Sequence, residues 1–192
     1  YRGRAFPSLS LPSVSNEAMN ADFLSAKIPI NGFKIGCFVR SEKLNNINFW
    51  LLMEKILKSS PHIHFLLASQ VIPEVGKEFI STDLFKTQFH HLGWVDTKKW
   101  CQYLDLYVDS YPRGSCLTIL EAIKAKVPVF MFDSEHNRES SALPYLSSVH
   151  EKDSLPAGVL KIESIDSSLN LIIQSIKDKN KLLKLIDAQQ IL

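Results

Sequence analysis

The sequence predicts an α/β protein with a doubly wound, mostly parallel sheet and helices at its C-terminal end. Three observations carry this. From residue 33 onward, short apolar runs alternate with segments of helical period. The apolar runs are bounded by glycine, proline or charged turns, which suits strands buried between helix layers. Between residues 109 and 122 an apolar strand passes through a Pro/Gly turn directly into a helix, DSYPRGSCLTILEA. Parallel strands need crossover helices, so this order predicts an open sheet with ligands at the carboxyl ends of its strands.

The elements follow in order. Residues 33–40 are an apolar run between Gly32 and a charged turn, a strand. Residues 48–59 read as a helix, because Phe49, Leu52, Met53, Ile56 and Leu57 share one face and Ser59, Ser60 and Pro61 end it. A strand is expected at 63–68, a weaker helix at 75–86, a strand at 89–95, and a helix at 97–104 with Asp96 or Thr97 as its N-cap. Residues 106–109 give another strand, 117–126 a helix, 127–132 a strand and 137–146 a further helix. After an edge strand at 158–162, Leu169, Ile172, Ile173 and Ile176 repeat helical spacing, and Leu182, Leu183 and Ile186 follow a charged interruption at 177–181. The apolar stripe of these last helices is expected to be partly exposed or covered by another chain. The opening YRGRAFPSLSLPSVS is rich in Pro and Ser and reads as a linker. The expected organisation is a linker segment at 1–32, an α/β domain at 33–165 and C-terminal helices at 166–192. There is no internal repeat.

Composition narrows the function classes. With 192 residues, 45% of them hydrophobic, the chain can bury one good core. A net charge of +2 without a Lys/Arg-rich run argues against a nucleic-acid partner. Cys37, Cys101 and Cys116 are odd in number and lack CxxC or Cys/His ligand spacing, which points to reduced thiols and away from structural zinc. No apolar run is long enough to cross a bilayer, and the first residues lack the apolar core of a signal peptide. The expected location is the cytoplasm, including the inner face of a membrane as a peripheral protein.

The strand–turn–helix at 109–122 has the chemistry of an anion site. The first N–H groups of a helix lack internal partners and lie at the positive end of its dipole, so Gly114, Ser115, Cys116, Leu117 and Thr118 can offer amides to a diphosphate. Glu121 lies about one turn further in, where an acceptor-only carboxylate suits the vicinal diol of a ribose. Arg40 and Lys43 follow the first strand and can neutralise phosphate oxygens. Trp94, after the Gly93 turn, suits either a stacking face for a base or a place in the core. Arg138 lies in the loop 133–139 after the 127–132 strand. His90 and His91 are adjacent on a strand and face opposite sides, so they cannot chelate together. Cys116 at a helix N-terminus is expected to have a lowered pKa, and Asp105 and Asp109 to close turns.

The segments FKIGCFVRSEK at 33–43, residues 50–61, LGWV at 92–95, 105–121 and VPVF at 127–130 together resemble the C-terminal, donor-binding half of a GT-B glycosyltransferase. Lys43, followed by a helix with Trp50 and ending near Pro61, is similar to the O-linked N-acetylglucosamine transferase branch. The resemblance implies a Rossmann-like nucleotide-sugar-binding domain, a nucleoside-diphosphate sugar as donor (a UDP-sugar first), and no obligatory metal. It implies that the backbone from Gly93 to Val95 reads the nucleobase with Lys98 as a nearby base or phosphate contact, and that Lys43 stabilises the leaving diphosphate, while the catalytic base and the site for a glycan, protein or lipid acceptor lie on an N-terminal domain outside this chain. The isolated chain would then bind nucleotide and transfer little sugar. Two departures stand out. The first carboxylate of the retaining enzymes' glutamate pair falls on Arg113. The His-Thr-Thr of the inverting branch falls on Cys116, Leu117 and Thr118, and its ribose-binding Asp on Glu121. Two alternatives stay open, a nucleotide-sugar epimerase of the same architecture and a degenerate Rossmann module kept for interaction.

Overall fold

A computed structural model describes residues 10–134, 142, 158–161 and 165–189. The chain opens with helix α1 (Asn16–Ser25), then strand β1 (Phe33–Phe38), a 3-10 turn (Ser41–Leu44), α2 (Ile47–Lys58), β2 (Ile63–Ala68), α3 (Glu74–Ile80) and α4 (Asp83–Gln88). It continues through β3 (Phe89–His91), α5 (Thr97–Trp100), a 3-10 turn (Cys101–Tyr103), β4 (Leu106–Val108) and α6 (Leu117–Lys124). Strands β5 (Val129–Asp133) and β6 (Val159–Lys161) and helices α7 (Ile165–Lys177) and α8 (Lys179–Ala188) complete it. Among the described residues, six strands pair in the order β3-β2-β1-β4-β5-β6, every pair parallel. The order reverses between β1 and β4, which places the topological switch point there.

The two-residue period of the strands divides the core into two layers. Ile35 and Cys37 of β1, Phe65 and Leu67 of β2, Leu106 and Val108 of β4, and Phe130 and Phe132 of β5 pack on one side with α2. Phe38, Leu66, Tyr107, Val129 and Met131 point to the other, against Trp100, Ile119 and Leu120. Trp50 anchors the first layer. It is fully buried, stacks on Phe79, and its indole N–H donates to the Leu44 carbonyl at 2.9 Å. Gly76 passes so close to that ring that an added Cβ would lie 2.3 Å from it, so a side chain there forces Trp50 to move.

Several expected boundaries shift. The 75–86 helix is two helices, because Ser81 and Thr82 turn their hydroxyls onto the Glu78 and Phe79 carbonyls and interrupt it. The 89–95 strand keeps only its first three residues, and the chain turns away through Gly93 at φ +67°. The 97–104 helix tightens into a 3-10 turn after Trp100. The 117–126 helix stops at Lys124, ahead of Lys126 at φ +59°, and the following strand is Val129–Asp133. The helix expected at 137–146 lies outside the described residues.

Two findings concern the ends of the chain. Residues 16–25 form a helix that the Pro/Ser-rich start gave no sign of. Ser15 caps it, and Phe23 is buried against Trp100 and Tyr103. The apolar stripe of the final helices is partly exposed, as expected, and the rest of it is covered by the chain's own core. Ile172 and Leu182 are buried in the first core layer, with Leu169 and Ile176 packed against it, while Leu171 and Leu183 stay exposed. Among the described residues, no helix is long and apolar enough to cross a membrane.

Candidate functional site

A cleft of about 620 Å³ opens at the carboxyl ends of β1 and β2. β1 delivers Phe38, Val39 and Arg40 to it, and β2 delivers Ala68. The segment after β3 contributes Gly93, Trp94, Val95, Asp96, Thr97 and Lys98, and α6 contributes Leu117, Thr118 and Glu121. Seven of the sequence-predicted residues therefore meet here: Arg40, Trp94, Val95, Lys98, Leu117, Thr118 and Glu121. Trp94 is 81% exposed, an indole held at the mouth of the cleft with most of its surface uncovered.

Glu121 has the opposite character. It is 2% exposed, and its Oε2 accepts a hydrogen bond from the Thr97 hydroxyl at 2.6 Å. The backbone places this pair: Asp96 caps α5 by accepting from the Lys98 N–H at 3.1 Å, which fixes Thr97 in the first turn facing α6. Sequence reasoning named Thr97 only as a possible cap. A contact between two helices 24 residues apart in the chain leaves no local signal.

Lys43, Gly114, Ser115 and Cys116 do not line the cleft. Gly114, Ser115 and Cys116 belong to the neighbouring turn, which the Lys43 side chain reaches from the 3-10 turn after β1, and polar groups there bond to one another. The Lys43 ammonium donates to the Gly114 carbonyl. The Ser115 N–H donates to both carboxylate oxygens of Asp109, at 3.0 Å each, so this amide already has an acceptor. Asp109 has no solvent exposure. Burial pushes its carboxyl up to about 7, against the opposing pull of the Ser115 and Ser110 N–H groups and the Lys43 charge. It closes the turn as expected, but as a wholly buried acid. Ser110 completes the knot by donating its hydroxyl to the Arg113 carbonyl at 2.7 Å.

Cys116 corrects an expectation. It stands at the start of α6, yet its thiol is shifted up, because desolvation outweighs the Lys43 charge. Its place at the helix start therefore does not lower the pKa of this thiol. The histidines point apart as the strand period requires: His90 Nε2 lies 3.3 Å from His64 Nδ1, and His91 Nε2 lies 2.9 Å from the Ser69 carbonyl oxygen. Burial, then the neighbouring His64, pushes His90 down to about 4. Asp105 lies at the other end of the sheet, where it accepts from the Lys34 N–H at 2.7 Å. Arg138 lies outside the described residues. Among the described residues, no group of three or more His, Cys, Asp or Glu side chains is arranged to hold a metal ion.

No protein-family model matches the chain, and no curated protein matches it in sequence. Solved structures do match its fold. HepE of Anabaena, in complex with UDP and glucose, superposes with a TM-score of 0.66 at 16% identity, over 91% of this chain and 47% of that one. The O-GlcNAc transferase of Thermobaculum terrenum gives 0.62 at 18% identity, over 95% of this chain and 33% of that one. TarM of S. aureus, in complex with UDP among other ligands, gives 0.62 at 15% identity, over 82% and 31%. The chain thus spans less than half the length of these structures. At such identities the likeness is one of fold, and the fold is the Rossmann-like α/β domain of GT-B glycosyltransferases.

Proposed function

We propose that the cleft binds the nucleotide of a nucleoside-diphosphate sugar, with UDP as the first candidate, and that the chain is the donor-binding half of a GT-B glycosyltransferase. The observation that carries this is the placement of a buried carboxylate, Glu121, on the wall of an open cleft at the sheet's switch point. An acidic side chain that has lost its water there is matched by a ligand with hydroxyl donors. Trp94 offers the face for a base, Val95 and Lys98 flank it, and Arg40 brings a cation to the end of β1.

The diphosphate belongs where the cleft meets the turn, with Arg40 and the Leu117 and Thr118 N–H groups on the cleft side and Lys43, Gly114 and Cys116 on the other, while the Ser115 N–H stays on Asp109. Catalysis of sugar transfer requires that the charge growing on the leaving diphosphate be held more tightly in the transition state than in the ground state. In this reading Lys43 and Arg40 do that, Arg138 is a further candidate cation, and no metal is needed. Residues 33–165 form the nucleotide-binding unit and residues 166–192 its closing helices, while 1–32 lead from an N-terminal domain that supplies the catalytic base and the acceptor site. The matching structures solved with UDP support a uridine nucleotide over others.

Calorimetric titration of the 192-residue chain with UDP and with GDP tests the reading. UDP is expected to bind and GDP to bind more weakly. Binding of neither nucleotide removes the function, and tighter binding of GDP removes the uridine assignment.

A further inference from the structure

We propose that Thr97 is a positioning residue, which fixes the Glu121 carboxylate so that the cleft selects ribonucleotides over their deoxy counterparts. This rests on the donor-nucleotide reading above and names the part of the ligand that the buried wall recognises. The Thr97 hydroxyl has one proton and gives it to Glu121 Oε2 at 2.6 Å. Toward the cleft, the pair therefore presents acceptors only: Glu121 Oε1, the remaining capacity of Oε2, and the Thr97 oxygen. Among the described residues, no Lys or Arg pairs with Glu121 and no N–H or O–H donates to Oε1. A ligand that covers this wall has to bring donors, and a vicinal diol brings two.

The bond also removes a freedom. Glu121 stands on α6 and Thr97 on α5, so the carboxylate plane is tied between two helices that pack against each other. Asp96 holds the first turn of α5 from the other side through the Lys98 N–H. With the hydroxyl removed, the carboxylate regains rotation, and a ribose loses its fixed acceptor. A deoxy ligand in the unaltered site instead covers a nearly buried carboxylate with one donor fewer, and a desolvated acceptor left unpaired is strongly disfavoured.

The test titrates UDP, 2′-deoxy-UDP and 3′-deoxy-UDP into the wild-type chain and into Thr97→Val, Thr97→Ala and Thr97→Ser, with a thermal melt of each. Wild type is expected to prefer UDP over at least one deoxy analogue by about tenfold or more. Thr97→Val should shrink that ratio to about threefold or less by weakening UDP alone, and Thr97→Ser should keep it. Thr97→Ala carries the same expectation as Thr97→Val and gives the reading if valine unfolds the chain. An unchanged ratio in Thr97→Val or Thr97→Ala, equal weakening of all three ligands with a lowered melting temperature, or loss of the ratio in Thr97→Ser overturns the proposal. Wild type that binds UDP without regard to either hydroxyl also overturns it while leaving the nucleotide reading intact, whereas wild type that binds no UDP overturns both.

Discussion

The Glu121–Thr97 wall and the Ser110–Ser115 turn lie side by side at the same end of the sheet, and each holds a buried carboxylate. They treat it differently. Asp109 is sealed, with both oxygens on the Ser115 N–H and no path to solvent. Glu121 gives one oxygen to Thr97 and lies on the lining of an open cleft. A carboxylate whose acceptor capacity is met from within maintains a shape, while one with capacity left over toward a cleft is available to a ligand. The difference suits Asp109 to the scaffold and, in the proposed reading, Glu121 to recognition, although both sit on or beside the same strand–turn–helix.

The largest effect expected from this contrast is on stability. Asp109→Ala leaves the Ser115 N–H buried without its acceptor and should cost about 3 kcal/mol in chemical denaturation. A loss well under 1 kcal/mol would mean that the turn keeps its shape without the carboxylate. Glu121→Ala should do the reverse, weakening UDP by about 2 kcal/mol with little change in the melt. A large drop in melting temperature with unselective loss of binding would make Glu121 a second scaffold acid.

The pH dependence of stability separates the two further. The folded state raises the Asp109 pKa to about 7 from the ordinary aspartate value of 3.8, so between those values the folded chain holds a proton that the unfolded chain has released. This contribution is present at low pH and is lost as pH rises through that window, at up to about 1.4 kcal/mol per unit. Asp109→Asn keeps an acceptor oxygen for Ser115 but cannot ionise, so its stability curve between pH 4 and 7 should lack that fall. Parallel curves for the two proteins would show that Asp109 titrates normally.

The smallest expected effect belongs to Lys43. Its ammonium is held on the Gly114 carbonyl, and Lys43→Met should weaken UDP by about 1 kcal/mol while changing UMP less, as one charge-assisted contact to the second phosphate would. Equal losses for both nucleotides would confine Lys43 to the turn.

What the sequence discloses and what it hides follows the same division. The strands and α2 were legible because period-2 and period-3.6 patterns are local, and Phe49, Leu52, Met53, Ile56 and Leu57 are indeed all buried. The cleft residues were legible as positions after strands, since the ends of parallel strands converge. α1 was hidden because its ten residues bury only Phe23 and so form no apolar stripe. The bonds of Thr97 to Glu121 and of Asp109 to Ser115 were hidden because they depend on how segments meet in space. The thiol of Cys116 was misjudged because the helix dipole is visible in sequence and burial is not.

The most direct test of the central claim, a nucleotide cleft backed by an anion-binding turn, is the affinity series uridine, UMP and UDP measured by calorimetry on this chain. The account predicts that each phosphate adds affinity and that UDP binds tightest, through Arg40, Lys43 and the amides that begin α6. Equal affinity for all three, or no binding of any, would contradict it.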